Sequence, residues 1–192
     1  MKTILKMKND SKGFTLIELL AVIVILGILM ITAIPAVTKY INSSKKSTFA
    51  DSAGAYINAA RYSLLNDEYD CQTPSESGQK VKIPLYSCTG EGSNKQCNDV
   101  NVDIDKGTET SSYGKTYNKD SYVIVESKGG KLVYSICLID AAGNGTKASG
   151  SGSDSSNCLV EEKDLGKSTI SADKQMKVTD NSQASTTCKK SS

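Results

Sequence analysis

The sequence predicts an α+β fold: a long N-terminal helix whose second half lies against a small antiparallel sheet, with a disulfide-stabilised loop region towards the C-terminus. Three observations lead there. Residues 19–38 form an uncharged, almost wholly apolar run. Apolar side chains then recur at helical spacing as far as about Leu65. Beyond that, short β-type segments alternate with turns rich in Gly, Ser and Asn, and all six cysteines lie among them. The 192 residues suffice for one domain plus an extended helix.

Residues 1–13 read as a leader peptide on the cytoplasmic side. They hold four lysines and one acid, a charge of +3, so of the formal +2 the remaining side chains carry −1. Lysine placement orients the chain only thinly, with four before the apolar run against Lys39, Lys45 and Lys46 soon after it. The next block, residues 14–38, is long enough to cross a bilayer core of ~30 Å at about 1.5 Å per residue. Two features set it apart from a plain anchor. Glu18 places an acid in the apolar stretch, which would cost about 3 kcal/mol at a bilayer centre and less near an edge. The small residue suited to cleavage, Gly13, precedes the apolar block, whereas a secretory signal carries its cut site after it.

The run Lys12-Gly13-Phe14-Thr15-Leu16-Ile17-Glu18-Leu19-Leu20 resembles the N-terminal motif of the type IV pilin family, pseudopilins included. The match has glycine before the cut, phenylalanine after it, and glutamate fifth in the mature chain. Gly27 and Pro35 also stand where many members of the family have glycine and proline. The resemblance covers roughly residues 8–65. The competing reading is a signal-anchor helix with an incidental glutamate.

From Phe14 the helix should run to about Leu65, roughly 78 Å if straight. Residues 39–65 are amphipathic: Ile41, Phe49, Ala53, Tyr56, Ile57, Ala60 and Leu64 form one stripe, with Lys45, Lys46, Asp51 and Asn58 largely off it. Gly27 and Pro35 weaken the helix between them, because Pro35 has no N–H for the carbonyl of Ile31. The Thr32 hydroxyl can ease that strain. The residues themselves admit a static kink. The family resemblance implies instead a segment that loses helicity inside the filament. Ala21, Gly27, Ala33 and Ala36 are small enough for close helix approach without forming a strict face.

Residues 66–192 read as an extracellular globular domain, loop-rich over 66–98. Strands are expected at Val81–Tyr86, broken by Pro84, and at Val100–Asp105. The strongest sheet signal is a hairpin of Tyr122–Glu126 and Lys131–Ile139 turning at Gly129-Gly130. A Gly/Ser-rich tract over roughly 143–157 precedes weak strand character near Lys174–Val178. With few large apolar side chains of its own, this region needs the stripe of residues 41–64 to complete its core, giving a sheet of about four strands.

Cys71, Cys88, Cys97, Cys137, Cys158 and Cys188 form no C-x-x-C pair, so zinc-ribbon and thioredoxin-like readings are weak. An even count in an exported domain favours disulfides over buried free thiols. Fifteen complete pairings exist. The expected one joins Cys188 to Cys137 or Cys158 and leaves Cys71 bridging within the 71–97 loop.

Histidine is absent and Arg61 is the only arginine. That removes His-based triads, His metal sites and most bidentate phosphate clamps. With no tryptophan and two phenylalanines, platforms for substrate are also thin. No enzyme and no cofactor are therefore expected. Asp99, Asn101, Asp103 and Asp105 resemble a calcium loop, but Ile104 and Thr110 occupy the positions where an EF-hand needs Gly and Glu. Alternation with Val100, Val102 and Ile104 points rather to a strand with a wet polar face, so no metal is assigned. A near-neutral mature chain also argues against nucleic acid held by net charge.

The resemblance implies a structural subunit of a bacterial pilus serving adhesion, aggregation or twitching motility. The alternative within the family is a pseudopilin or minor pilin of a secretion or DNA-uptake machine. Either way, a prepilin peptidase would cut between Gly13 and Phe14 and methylate the Phe14 amine. An assembly platform and its ATPase would then lift the subunit from the cytoplasmic membrane into a surface filament with copies of itself and other pilins. Glu18 would pair with the Phe14 amine.

Overall fold

The computed structural model describes residues 13–89, 96–102, 109–149, 157–179 and 183–191. The chain divides into two compact units, Met1–Ile41 and Asn42–Ser192. A single helix, α1 (Leu16–Leu65), supplies the described body of the first and the first element of the second.

In the second unit, Phe49, Ala53, Tyr56, Ile57, Ala60 and Leu64 recur every three or four residues and are buried together. Ile41 departs from the stripe expected of it: 46% of its surface is exposed. The buried stripe starts at Phe49, whose ring meets Tyr117 edge-on at 5.6 Å. Tyr117 in turn packs edge-on against Tyr56 at 5.5 Å. Such contacts add about 0.5–1.5 kcal/mol each beyond area burial.

The stripe packs on a five-stranded sheet in the order β7-β5-β4-β1-β9. Its members are β1 (Lys80–Pro84), β4 (Tyr122–Lys128), β5 (Lys131–Cys137), β7 (Val160–Glu161) and β9 (Thr186–Thr187). A two-stranded ribbon, β2 (Tyr86–Thr89) with β3 (Gln96–Val100), and a short pair, β6 (Gly145–Thr146) with β8 (Ile170–Ser171), complete the fold. The β4–β5 hairpin turns at Gly129 and Gly130, with φ of 57° and 76°. Positive φ at both positions is what a two-residue turn needs to follow strand twist. Register then lines Val81, Val125 and Tyr134 in one row and Ile83, Val123 and Ile136 in the next, on the face that meets α1.

The central strand is buried on both faces, so its burial does not alternate. Tyr122 and Ile124 point away from α1 into a second cluster with Cys137, Ile139, Cys158 and Met176. The lone arginine ties the segment after Cys158 to the helix. Arg61 pairs with Glu162, bonds Asn58 and lies 4.5 Å over the Tyr134 ring. At Gly145 a Cβ would stand 2.5 Å from the Leu138 carbonyl oxygen, so β6 can approach β5's exit only with glycine there.

Four expectations need correction. The four antiparallel strands β7-β5-β4-β1 gain a fifth, β9, which runs parallel to β1. Lys174–Val178 is irregular: Met176 is buried and its N–H bonds the Gly143 carbonyl, so the segment caps the second cluster rather than extending a sheet. The strand expected at Val100–Asp105 ends at Val100, with residues 103–108 outside those described. The expected alternation is also lost, since Val100 is 45% exposed whereas Asn101 and Val102 are both buried.

The fourth concerns the disulfides, which pair Cys71–Cys188, Cys88–Cys97 and Cys137–Cys158. Cys188 does not reach Cys137 or Cys158. β9 brings it to the β1 edge, two strands away from Cys137 on β5, and beside the start of the 66–79 connection. Cys71 therefore closes onto Cys188 instead of bridging within its own loop.

Asn101 explains much of that placement. Its Nδ2 donates to the carbonyls of Pro84 (2.8 Å) and Cys188 (3.2 Å), and its Oδ1 accepts from the Lys190 N–H (2.6 Å). Tyr69, whose hydroxyl burial pushes up to about 12, donates to the Asn101 carbonyl at 3.0 Å. Both Nδ2 donors and one Oδ1 lone pair of Asn101 are thus engaged by backbone partners. Asn101→Ala should strand the buried Cys188 carbonyl and two part-buried groups and cost about 2–4 kcal/mol, at about 1–3 per fully buried unsatisfied group and less for the others. Denaturant midpoints would show it, and an unchanged midpoint would contradict the assignment.

The N-terminal helix as candidate functional site

Gly13 and Phe14 precede the helix and are exposed, Phe14 by 90%. The Gly13–Phe14 peptide bond is therefore accessible. The helix starts one residue after Thr15, for a local reason. Thr15 Oγ1 accepts from the Glu18 N–H (3.3 Å), while Glu18 Oε2 accepts from the Thr15 N–H (2.8 Å) and the Thr15 hydroxyl (2.9 Å). This is a reciprocal capping box, which satisfies two donors at a helix start and typically contributes about 1 kcal/mol. The signature Thr-x-x-Glu ahead of an apolar run was present in the sequence, and Thr15 is the residue the sequence reading overlooked.

Both bonds to Glu18 fall on Oε2, and among the described residues Oε1 takes none. With Phe14 still joined to Gly13, no amine is available to the carboxylate, and Thr15 occupies it instead. The capped geometry holds the carboxylate in the first turn, four residues after Phe14.

From Phe14 to Ile41, every large apolar side chain leaves at least 46% of its surface uncovered. This is the one helix among the described residues long and apolar enough to cross a membrane. So much contiguous apolar surface requires lipid or other helices around it. Gly27 and Pro35 both lie within α1, which is assigned as helix without interruption through them. The Thr32 hydroxyl bonds the Leu29 carbonyl (3.0 Å) and Thr38 bonds that of Ile34 (2.9 Å). Neither reaches Ile31, whose carbonyl loses its donor to Pro35. Among the described residues, no three His, Cys, Asp or Glu side chains gather as a metal site.

The family model of the prokaryotic N-terminal methylation motif matches residues 8–34. Fimbrial protein Q of Moraxella bovis is 29% identical over 147 residues, covering 73% of this chain and 94% of that protein. The type IV major alpha-pilin of the same organism is 31% identical over 144 residues, covering 70% of this chain and 89% of its own length. No solved structure matches the chain. The similarity thus extends well beyond the methylation motif into the sheet-bearing unit, and with the exposed apolar helix headed by a capped glutamate it leads to one conclusion: this chain belongs to the type IV pilin family and is a pilin, a structural subunit.

Proposed function

We infer that the chain is made as a precursor crossing the cytoplasmic membrane once, with residues 42–192 outside. A prepilin peptidase cuts between Gly13 and Phe14 and methylates the new amine. A membrane assembly platform and its ATPase then move the subunit into a surface pilus of copies of itself and other pilins. The carrying observation is the uncovered apolar surface of residues 14–41, with one carboxylate held at its head. Lipid covers that surface before assembly, and neighbouring helices cover it afterwards.

Cleavage creates a cation at Phe14, four residues from Glu18. An ionised carboxylate among packed apolar helices is tolerated only beside such a partner. The pair sets axial register when it forms between neighbouring subunits. Gly27 and Pro35 supply the segment that yields when the filament is stretched, since a missing backbone bond makes local unwinding cheap. The names of both relatives favour a displayed pilus over a secretion or DNA-uptake piston. Such a filament would serve adhesion, aggregation or twitching motility.

N-terminal sequencing and intact mass of sheared surface filaments should find chains that begin at Phe14 with one added methyl. Recovery of chains that begin at Met1 would remove this reading.

A further inference from the structure

We propose that a basic groove on the sheet face turned away from α1 is a binding site for an acidic polysaccharide. The groove, of about 370 Å³, brings together lysines distant in sequence: Lys82 on β1, Lys119 in the turn before β4, and Lys189 after β9. Among the described residues that line it, Asp120 is the only acid. Side chains outside the leader sum to −1, so this positive charge is a local concentration, not a consequence of an overall basic chain.

Two of the cations are held in place. Lys119 spends one N–H on the Cys97 carbonyl at 2.7 Å, which leaves two of its three donors for a ligand. Lys82 stands 4.5 Å over the Tyr122 ring. Disulfides fix the frame: Cys88, tied to Cys97, lines the groove, and Lys189 follows Cys188, tied to Cys71. A site ordered before binding loses less entropy when a ligand arrives.

The two tyrosines decide the class of ligand. Tyr122 is buried, with Lys82 over its ring, and Tyr86 is half-buried, with Lys119 5.9 Å from its ring centre. Tyr122 therefore offers no face for stacking a base and half-buried Tyr86 only part of one, whereas single-stranded nucleic acid needs stacked bases for much of its affinity. Carboxylates or sulfates on saturated sugar rings require fixed cations and hydrogen-bond donors, and no aromatic platform.

The test uses full-length protein in nonionic detergent, so that its outcome does not depend on filament assembly. Heparin is the acidic probe, with neutral dextran and a thymidine oligonucleotide as comparators. Heparin should bind in a salt-sensitive manner, dextran should not, and the oligonucleotide should bind more weakly. K119Q/K189Q should weaken heparin binding about tenfold. The charge-matched pair K115Q/K131Q, away from the groove, should change it by less than about twofold. K189Q alone, which leaves the Lys119 bond to Cys97 intact, should weaken it about threefold with an unchanged thermal midpoint. Equal losses in the two double variants, tighter oligonucleotide binding, or no heparin binding by the wild type would each overturn the proposal.

Discussion

Glu18→Val is expected to insert into the membrane and be cleaved like the wild type, yet to enter filaments more than about tenfold less efficiently when it is the only copy. The direction follows from two environments. In lipid, removing the carboxylate relieves a desolvation cost. In a packed filament, it leaves the Phe14 amine without its counter-charge, and truncating one member of a buried charge pair costs about 2–5 kcal/mol. The capping box complicates this substitution, because valine also removes the bonds to Thr15. Two companions separate the contributions. Glu18→Gln keeps an acceptor for the Thr15 N–H but no charge, and should assemble nearly as poorly as valine. Thr15→Ala keeps the charge and loses the cap, a change of about 1 kcal/mol at the helix start, and should assemble nearly normally. Cell fractionation with blots of sheared filaments reads all three. Normal filament yield from Glu18→Gln would show that the carboxylate serves the helix cap and not registry.

Loss of the Cys71–Cys188 disulfide should be the most destabilising single change in the globular unit. In the chain-entropy model a bridge stabilises according to the loop it closes. The sequence separations are 117, 21 and 9 residues for Cys71–Cys188, Cys137–Cys158 and Cys88–Cys97. The corresponding contributions are about 5, about 3 and somewhat under 3 kcal/mol. The longest also secures the most structure. Beside it the Lys189 N–H bonds Asp70, the Lys190 N–H bonds Asn101, and β9 covers the β1 edge. Cys71→Ser with Cys188→Ser should lower the thermal midpoint by roughly 10 °C or more, at about 2–4 °C per kcal/mol for a unit of this size. Removing Cys88 and Cys97 should lower it least. A scan in which the Cys88–Cys97 variant is the least stable would refute the ranking.

The N-terminal half was legible because its determinants are local. Apolar length, the acid at position 18 and the small residue before Phe14 are read within nine to thirty residues of chain, and the helix needs no tertiary partner to be recognised. The hairpin at Gly129-Gly130 was legible for a similar reason, since turn chemistry and flanking alternation lie side by side. Even here Thr15 was less legible, because the charge of Glu18 is explicit in the sequence whereas its reach back to Thr15 is a matter of local geometry.

The Cys71–Cys188 pairing, the burial of Asn101 and the basic groove were decided only by tertiary structure. Each depends on β9 lying parallel beside β1, a contact between positions about a hundred residues apart that two exposed threonines do not announce. Once that strand is in place, Cys188 faces Cys71, the carbonyl of Cys188 and the N–H of Lys190 need a buried partner, and Asn101 turns inward to provide it. The polar residue is then inside because hydrogen bonds await it there, and hydrophobic alternation, which registers only transfer from water, has no term for that. Lys189 is carried to Lys82 and Lys119 by the same strand, so the groove's charge exists in the fold and nowhere as a run in the chain.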